Sequence, residues 1–132
     1  MTYLLDTHTL IWAITQPSLL SPKVRALVEN PEERIVVSAI TFWEISLKFG
    51  LGKLSLENVM PDDFPNICKQ MDIEVMPLDG DICASYFQLS GNYHKDPFDR
   101  MLLWLAKSEK FTLLSKDDNM KKYASEGINV VW

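Results

Sequence analysis

The sequence predicts an α/β fold, a single domain over residues 1–132 with a central parallel five-stranded sheet flanked by helices. Three features carry this. Five short runs of apolar and β-branched residues have the length and unbroken hydrophobicity of strands buried on both faces. Segments with apolar residues at helical spacing lie between them, and strands that alternate with helices assemble into parallel sheets. A chain of 132 residues is long enough to bury one core and too short for two.

The first expected strand is residues 3–5, followed by a helix over 9–14. A second helix over 22–29 is marked by Ser21-Pro22, a capping side chain ahead of a proline at the first helical position. Residues 35–37 are the second strand and 40–49 the helix after it, which Gly50 and Gly52 end. Residues 51–63 are the least regular part, read as a hairpin-like excursion or a partner-binding loop. A helix over 64–71 leads to the third strand at 73–76, and another helix covers 82–89. Asp96-Pro97 opens a helix over 97–107 as Ser21-Pro22 does the earlier one. Strand 112–114, helix 119–124 and strand 128–131 complete the pattern, with no repeat or interdomain linker.

Composition narrows the function classes. Apolar residues are 47% of the chain, yet no stretch approaches the roughly 20 uninterrupted apolar residues of a membrane helix. The start, Met1-Thr2-Tyr3-Leu4-Leu5-Asp6, lacks the basic region and cleavage site of a signal peptide, so a cytoplasmic protein without membrane contact is expected. Cys68 and Cys83 sit in helical patterns without a CxxC pair and are read as buried free thiols. Eighteen acids against thirteen bases give a net charge of −5, which excludes coating nucleic acid by charge alone. Setting four clustered carboxylates aside leaves 18 − 4 = 14 acids against 13 bases, so a nucleic-acid substrate stays compatible.

Those four are Asp6, Glu44, Asp99 and Asp117. Asp6 follows the first strand directly and Asp117 follows the fourth after Ser115-Lys116, which puts both at the strand ends where open α/β sheets bind ligands. Glu44 lies one turn into the helix after the second strand, and Asp99 in the first turn of the helix leading into the fourth. Each has a plain structural reading as well: helix caps for Asp6 and Asp117, a dipole partner for Asp99, an i,i+4 pair with Lys48 for Glu44. Two observations weigh against that. Phe42, Trp43, Ile45, Leu47 and Phe49 surround Glu44, and the apolar run after Arg100 makes a central helix with Asp99 at its mouth. Four carboxylates within several Å repel by roughly 1 to 4 kcal/mol per close pair, so a cation or shared protons must neutralise them. Hard oxygen donors suit Mg²⁺ or Mn²⁺ rather than zinc or copper, and the matching chemistry is cleavage of phosphodiesters or phosphomonoesters.

Four segments occur in a telling order: Leu4-Leu5-Asp6-Thr7-His8, then Val37-Ser38-Ala39-Ile40-Thr41-Phe42-Trp43-Glu44-Ile45, then His94-Lys95-Asp96-Pro97-Phe98-Asp99-Arg100-Met101-Leu102, and last Leu113-Leu114-Ser115-Lys116-Asp117. Together they resemble the PIN domain family, specifically the VapC-type toxins of bacterial toxin–antitoxin pairs, over essentially the whole chain. The resemblance implies a PIN-like fold, a Mg²⁺- or Mn²⁺-dependent endoribonuclease acting on RNA, a homodimer, and inhibition by a cognate antitoxin protein. It maps the family's catalytic and metal-binding acids onto Asp6, Glu44, Asp99 and Asp117. Asp96 and Asp118 are nearby acids that can assist, although Asp96 can equally be only a helix cap. Ser38, Thr41 and Ser115 can hydrogen-bond the carboxylates or a metal-bound water, or serve as ordinary caps. Arg100 first, then Lys48 and Lys116, are candidate contacts to substrate phosphate. His94 is read as an incidental loop histidine.

Trp12, Trp43, Trp104 and Trp132 fall in apolar helical runs or at the last strand, and are read as core or dimer contacts rather than a stacking ladder. Two rival functions stand beside the nuclease. A phosphatase forming an aspartyl-phosphate on Asp6 is disfavoured because Asp6-Thr7-His8-Thr9 has no second Asp two places on. A non-catalytic protein-binding module is disfavoured because all four acids are present.

Overall fold

In the computed structural model, which describes residues 1–132, five strands form one parallel sheet: β1 (Thr2–Leu5), β2 (Arg34–Ser38), β3 (Glu74–Met76), β4 (Thr112–Leu114) and β5 (Val130–Val131), in the order β3-β2-β1-β4-β5. The chain winds from β1 outward through β2 to β3, then crosses to the other side of β1 for β4 and β5. The winding therefore reverses between β1 and β4, and a crevice opens beyond their carboxyl ends. Leu5 is in register with Leu114, and the Asp6 N–H donates to the Leu114 carbonyl at 3.2 Å. The loops carrying Asp6 and Asp117 thus leave the sheet side by side.

Seven α-helices pack around the sheet: α1 (Thr7–Thr15), α2 (Pro22–Glu29), α3 (Ala39–Gly50), α4 (Phe64–Gln70), α5 (Gly80–Ser85), α6 (Pro97–Glu109) and α7 (Asp118–Lys121). Alternate strand residues face opposite ways. Tyr3, Leu5, Ile35 and Val37 enter one apolar layer with Leu10, Val24, Ile45, Phe64 and Cys68. Leu4, Val36 and Leu113 enter the other with Leu102, Leu103, Leu105 and Met120. Proline follows the capping residue in both α2 and α6, where Ser21 and Asp96 accept backbone hydrogen bonds. At the end of α3, Lys53 N–H reaches the Lys48 carbonyl and Gly52 N–H that of Phe49, with Gly52 at φ +72°, a Schellman closure that glycine allows.

The structure corrects several expectations. β3 is an edge strand with Val75 exposed, so it is not buried on both faces. The helix expected over 82–89 breaks into α5 and a 3₁₀ turn, Tyr86–Gln88, and that over 119–124 into α7 and the 3₁₀ segment Lys122–Glu126. Residues 51–63 form no hairpin; Leu54, Leu56 and Val59 fold back onto the first apolar layer. Cys68 is buried, but Cys83 is exposed. Trp104 is in the core, whereas Trp43 is 61% exposed and packs edge-on against Phe98, ring centroids 5.3 Å apart, which excludes the core role of the two expected for it. No helix is long and apolar enough to cross a membrane.

Candidate metal centre

The acids at the sheet's carboxyl edge divide their oxygens between two tasks. Asp6 caps α1 with Oδ1, which accepts from the Thr9 N–H at 2.9 Å and lies 2.6 Å from the Thr9 hydroxyl. Asp117 caps α7 with Oδ1, accepting from the Asn119 N–H at 2.7 Å, while its Oδ2 is 2.9 Å from His94 Nε2. Asp96 caps α6 through Oδ1 and turns Oδ2 toward Lys48 Nζ, 3.7 Å away. Asp99, in the first turn of α6, brings Oδ2 to 2.9 Å from the same His94 Nε2. A carboxylate has two oxygens, so the capping role does not compete with a role at the crevice.

Asp6, Asp99 and Asp117 line one open cavity of about 390 Å³ together with His8, Trp12 and Lys116. Glu44 stands behind it, 3% exposed, accepting a 2.5 Å hydrogen bond from the Thr7 hydroxyl and ion-paired with Lys48. Burial first, then the charges of Asp96 and Glu44, with Asp6 beyond, push the Asp99 carboxyl up to about 7, against the opposing pull of His94. Burial also raises Asp6 above the usual carboxylate range, partly offset by the neighbouring Ser115 and Thr9 groups. Burial alone would lower Lys48; the hydrogen bond and charge of Glu44, aided by Asp96 and Asp99, hold it above the ordinary lysine value. Potential ligand atoms of His94, Asp99 and Asp117 all lie within 4.8 Å of one another. The crevice therefore gathers more negative charge than its own cations balance.

The family model described as PIN domain matches residues 3–126. The chain belongs to the PIN domain family. This PIN domain is 21% identical over 131 residues to ribonuclease VapC22 of Mycobacterium tuberculosis, spanning 99% of this chain and 98% of that protein. Among solved structures it is similar to VapBC2 from Rickettsia felis bound to a DNA fragment from their promoter, with a TM-score of 0.64 and 19% identity over 99% of this chain and 98% of that one. It is also similar to VapBC-1 from nontypeable Haemophilus influenzae, with a TM-score of 0.61 and 19% identity over 99% and 97% of the two chains. At these identities the structural likeness is one of fold.

Within this PIN domain the predicted residues separate clearly. Asp6, Asp99 and Asp117 share the cavity, Glu44 backs it, and Asp96 joins through Lys48. Asp118 lies apart on the surface, beside Lys121 at 3.7 Å. Ser38 and Ser115 are buried, accepting from the Ile40 N–H at 3.2 Å and the Asp117 N–H at 3.1 Å; the buried Thr41 hydroxyl has no partner. Lys48, expected at a phosphate, instead neutralises Glu44. Arg100, the first choice for that role, is turned into the protein. Its guanidinium donates to the Tyr86 hydroxyl (2.7 Å), the Tyr123 hydroxyl (2.7 Å) and the Gly91 carbonyl (2.8 Å), with the His94 carbonyl at 3.3 Å. It thereby clamps the loop that carries His94. Lys116 does line the cavity.

His94 is the residue that sequence reading set aside. Its Nδ1 accepts from the Asp96 N–H at 3.2 Å, which leaves Nε2–H to donate between Asp99 and Asp117. Its position two places before the α6 cap was the available signal, because a chain entering a capped helix must pass over that helix's mouth. His8 and Trp12, four apart on α1, were missed for a related reason: counting on from the capping Asp6 puts both on one side of the helix.

Proposed function

We propose that this PIN domain is a metal-dependent endoribonuclease, the toxin of a toxin–antitoxin pair, that hydrolyses RNA phosphodiesters. The observation that carries this reading is the concentration of Asp6, Asp99 and Asp117 on one solvent-open cavity, where burial first and then acidic neighbours push the Asp99 carboxyl up to about 7. An anionic phosphate cannot enter such a crevice unless a cation stands between it and the acids. The donor set is carboxylate oxygen, which fits Mg²⁺ or Mn²⁺. Asp6, Asp99 and Asp117 would hold the ion, and Glu44 adds charge from behind. Bound there, such an ion supplies Lewis-acid stabilisation of the phosphoryl group and activates water.

The chain's own residues do the rest. Asp6 is held by its cap to Thr9 and Asp117 by its cap to Asn119, so the carboxylates are oriented before any ligand arrives. Lys48 ion-pairs with the buried Glu44 and offsets its charge behind the cavity. Lys116, on the cavity wall, offers its ammonium to a flanking phosphate. Arg100 fixes the loop over α6 so that His94 stays above Asp99 and Asp117. A protein antitoxin and a homodimer belong to the same reading, and the VapBC complexes among the similar structures support the first.

The test is cleavage of a mixed RNA with Mg²⁺ or Mn²⁺, with EDTA, and with Asp6→Asn and Asp99→Asn. Cutting is expected only with the ion and the parent protein. Cutting that persists in EDTA or in both variants contradicts the reading, and no cutting of any RNA favours a protein-binding module.

A further inference from the structure

We infer that Trp12, with Lys116 beside it, is a stacking platform for one unpaired base of the RNA strand next to the scissile phosphate. This rests on the nuclease reading and adds a substrate subsite to it. Trp12 is the only apolar side chain lining the cavity that Asp6, Asp99 and Asp117 share. It also borders an adjoining cavity of about 230 Å³, whose walls include Leu54 and Leu56, and His8 borders both. The indole therefore flanks the path of a strand that runs from the carboxylates toward the second cavity.

Its placement is set by α1. Asp6 caps that helix and Trp12 is six residues on, about 9 Å along the axis at 1.5 Å per residue. That is close enough for a base whose own phosphate lies at the acids, and too far for the ring to touch the phosphate itself. The ring is also held still. It packs against the first apolar layer and meets Trp132 edge-on, centroids 5.9 Å apart. A platform ordered in advance loses little freedom when a base lands on it.

The neighbouring charge selects the ligand. Lys116 Nζ lies 5.9 Å from the Trp12 ring centroid and makes no ion pair with a carboxylate of this chain. The exposed, flexible lysine can yield the ring face to a base and turn its ammonium to the adjoining phosphate. A flat π surface beside a cation, under two helical turns from a phosphate-handling cluster, fits a nucleobase. In a duplex both faces of each base are already stacked, so the strand is single there. Stacking is tolerant of base identity, because every base has a π face. Trp12 is thus a positioning residue for the strand, a role beyond core or dimer contact.

The experiment uses the full chain with Asp6→Asn, which keeps a capping side chain on α1 while silencing cleavage. Binding of a fluorescein-labelled single-stranded oligoribonucleotide is followed by anisotropy in Mg²⁺. Trp12→Ala is expected to weaken binding roughly tenfold or more, the range for loss of one base stack, whereas Trp12→Phe keeps most of the affinity. An abasic nucleotide is then moved along the strand. At one position it should reproduce the loss and make Trp12→Ala silent, since the two changes remove the same contact. Equal weakening by Trp12→Ala for the intact and every abasic strand overturns the platform, as does Trp12→Phe binding no better than Trp12→Ala. If Trp12→Ala leaves RNA binding intact but abolishes binding of a co-expressed antitoxin, the surface belongs to the protein partner and the inference is wrong. RNA bound independently of Trp12 removes only this subsite, while failure to bind RNA at all removes the nuclease reading with it.

Discussion

Replacing Asp99 by Asn should make the metal-free protein more stable. Asp99 is 19% exposed at its side chain and lies in the field of Asp96, Glu44 and Asp6, with its carboxyl pushed from 3.8 up to about 7. The folded protein therefore binds this proton more tightly than the unfolded chain does. Stability attributable to Asp99 is full below about pH 4, falls as pH rises, and is lost above about 7. A displacement of three units at about 1.4 kcal/mol each sets an upper limit on the order of 4 kcal/mol. Relaxation of the cluster and the lost contact to His94 reduce the expected gain to about 2 kcal/mol at pH 8. Urea unfolding in EDTA at pH 4.5, 6 and 8 measures it, and the gap between variant and parent should narrow toward low pH. Adding Mg²⁺ at 100 times its Kd should then stabilise the parent by about 2.7 kcal/mol and the variant far less. A variant less stable than the parent in EDTA at pH 8, by an amount independent of pH, would refute the idea of a repulsive, cation-deficient crevice.

Three further outcomes follow from the same geometry. Ion binding requires Asp99 to give up its proton, so affinity for Mg²⁺ or Mn²⁺ should rise with pH up to about 7 and then level; calorimetry at pH 6 in buffers of different ionisation heat should detect proton release, and a pH-independent affinity would contradict this. Lys48→Met leaves the Glu44 carboxylate buried with the Thr7 hydroxyl as its remaining partner, and because Lys48 is itself 33% exposed the loss should fall below the roughly 3 to 5 kcal/mol of a fully buried broken pair, to about 2 to 3 kcal/mol by urea unfolding. Arg100→Lys keeps the charge but loses the planar fork that holds Tyr86, Gly91 and Tyr123, so amide exchange in residues 86–94 should accelerate; unchanged exchange would show that the clamp is not what orders that loop.

Much of this protein was legible in its sequence because local signals and burial agree there. The runs at β1, β2 and β4 are buried and lie inside the sheet, so continuous hydrophobicity identified them. β3 has a similar run, but it pairs on one side only, and an apolar run alone does not distinguish an edge from a centre. The helix over 82–89 looked continuous from its apolar spacing; α5 instead stops at Ser85, whose hydroxyl bonds back to the Asp81 carbonyl at 2.7 Å. Asp6 and Asp117 follow strands and Asp99 opens a helix, positions that topology brings to one edge, whereas Glu44 lies one turn into α3 and is marked out by its apolar neighbours. Of the three candidate phosphate contacts only Lys116 lines the cavity, because a lysine or arginine near acids in sequence says nothing of which oxygen it reaches. Arg100 meets hydroxyls and carbonyls of residues 86–123, and Lys48 meets an acid one turn away. His94 had no periodic pattern around it, and its position over Asp99 and Asp117 depends on that Arg100 clamp.

The most direct measurement is anomalous diffraction from crystals soaked in Mn²⁺. A peak is expected in the crevice beyond β1 and β4, about 2.1 Å from carboxylate oxygens of Asp6, Asp99 and Asp117. A crevice without a peak at saturating Mn²⁺, its acids engaged by protein cations instead, would contradict it.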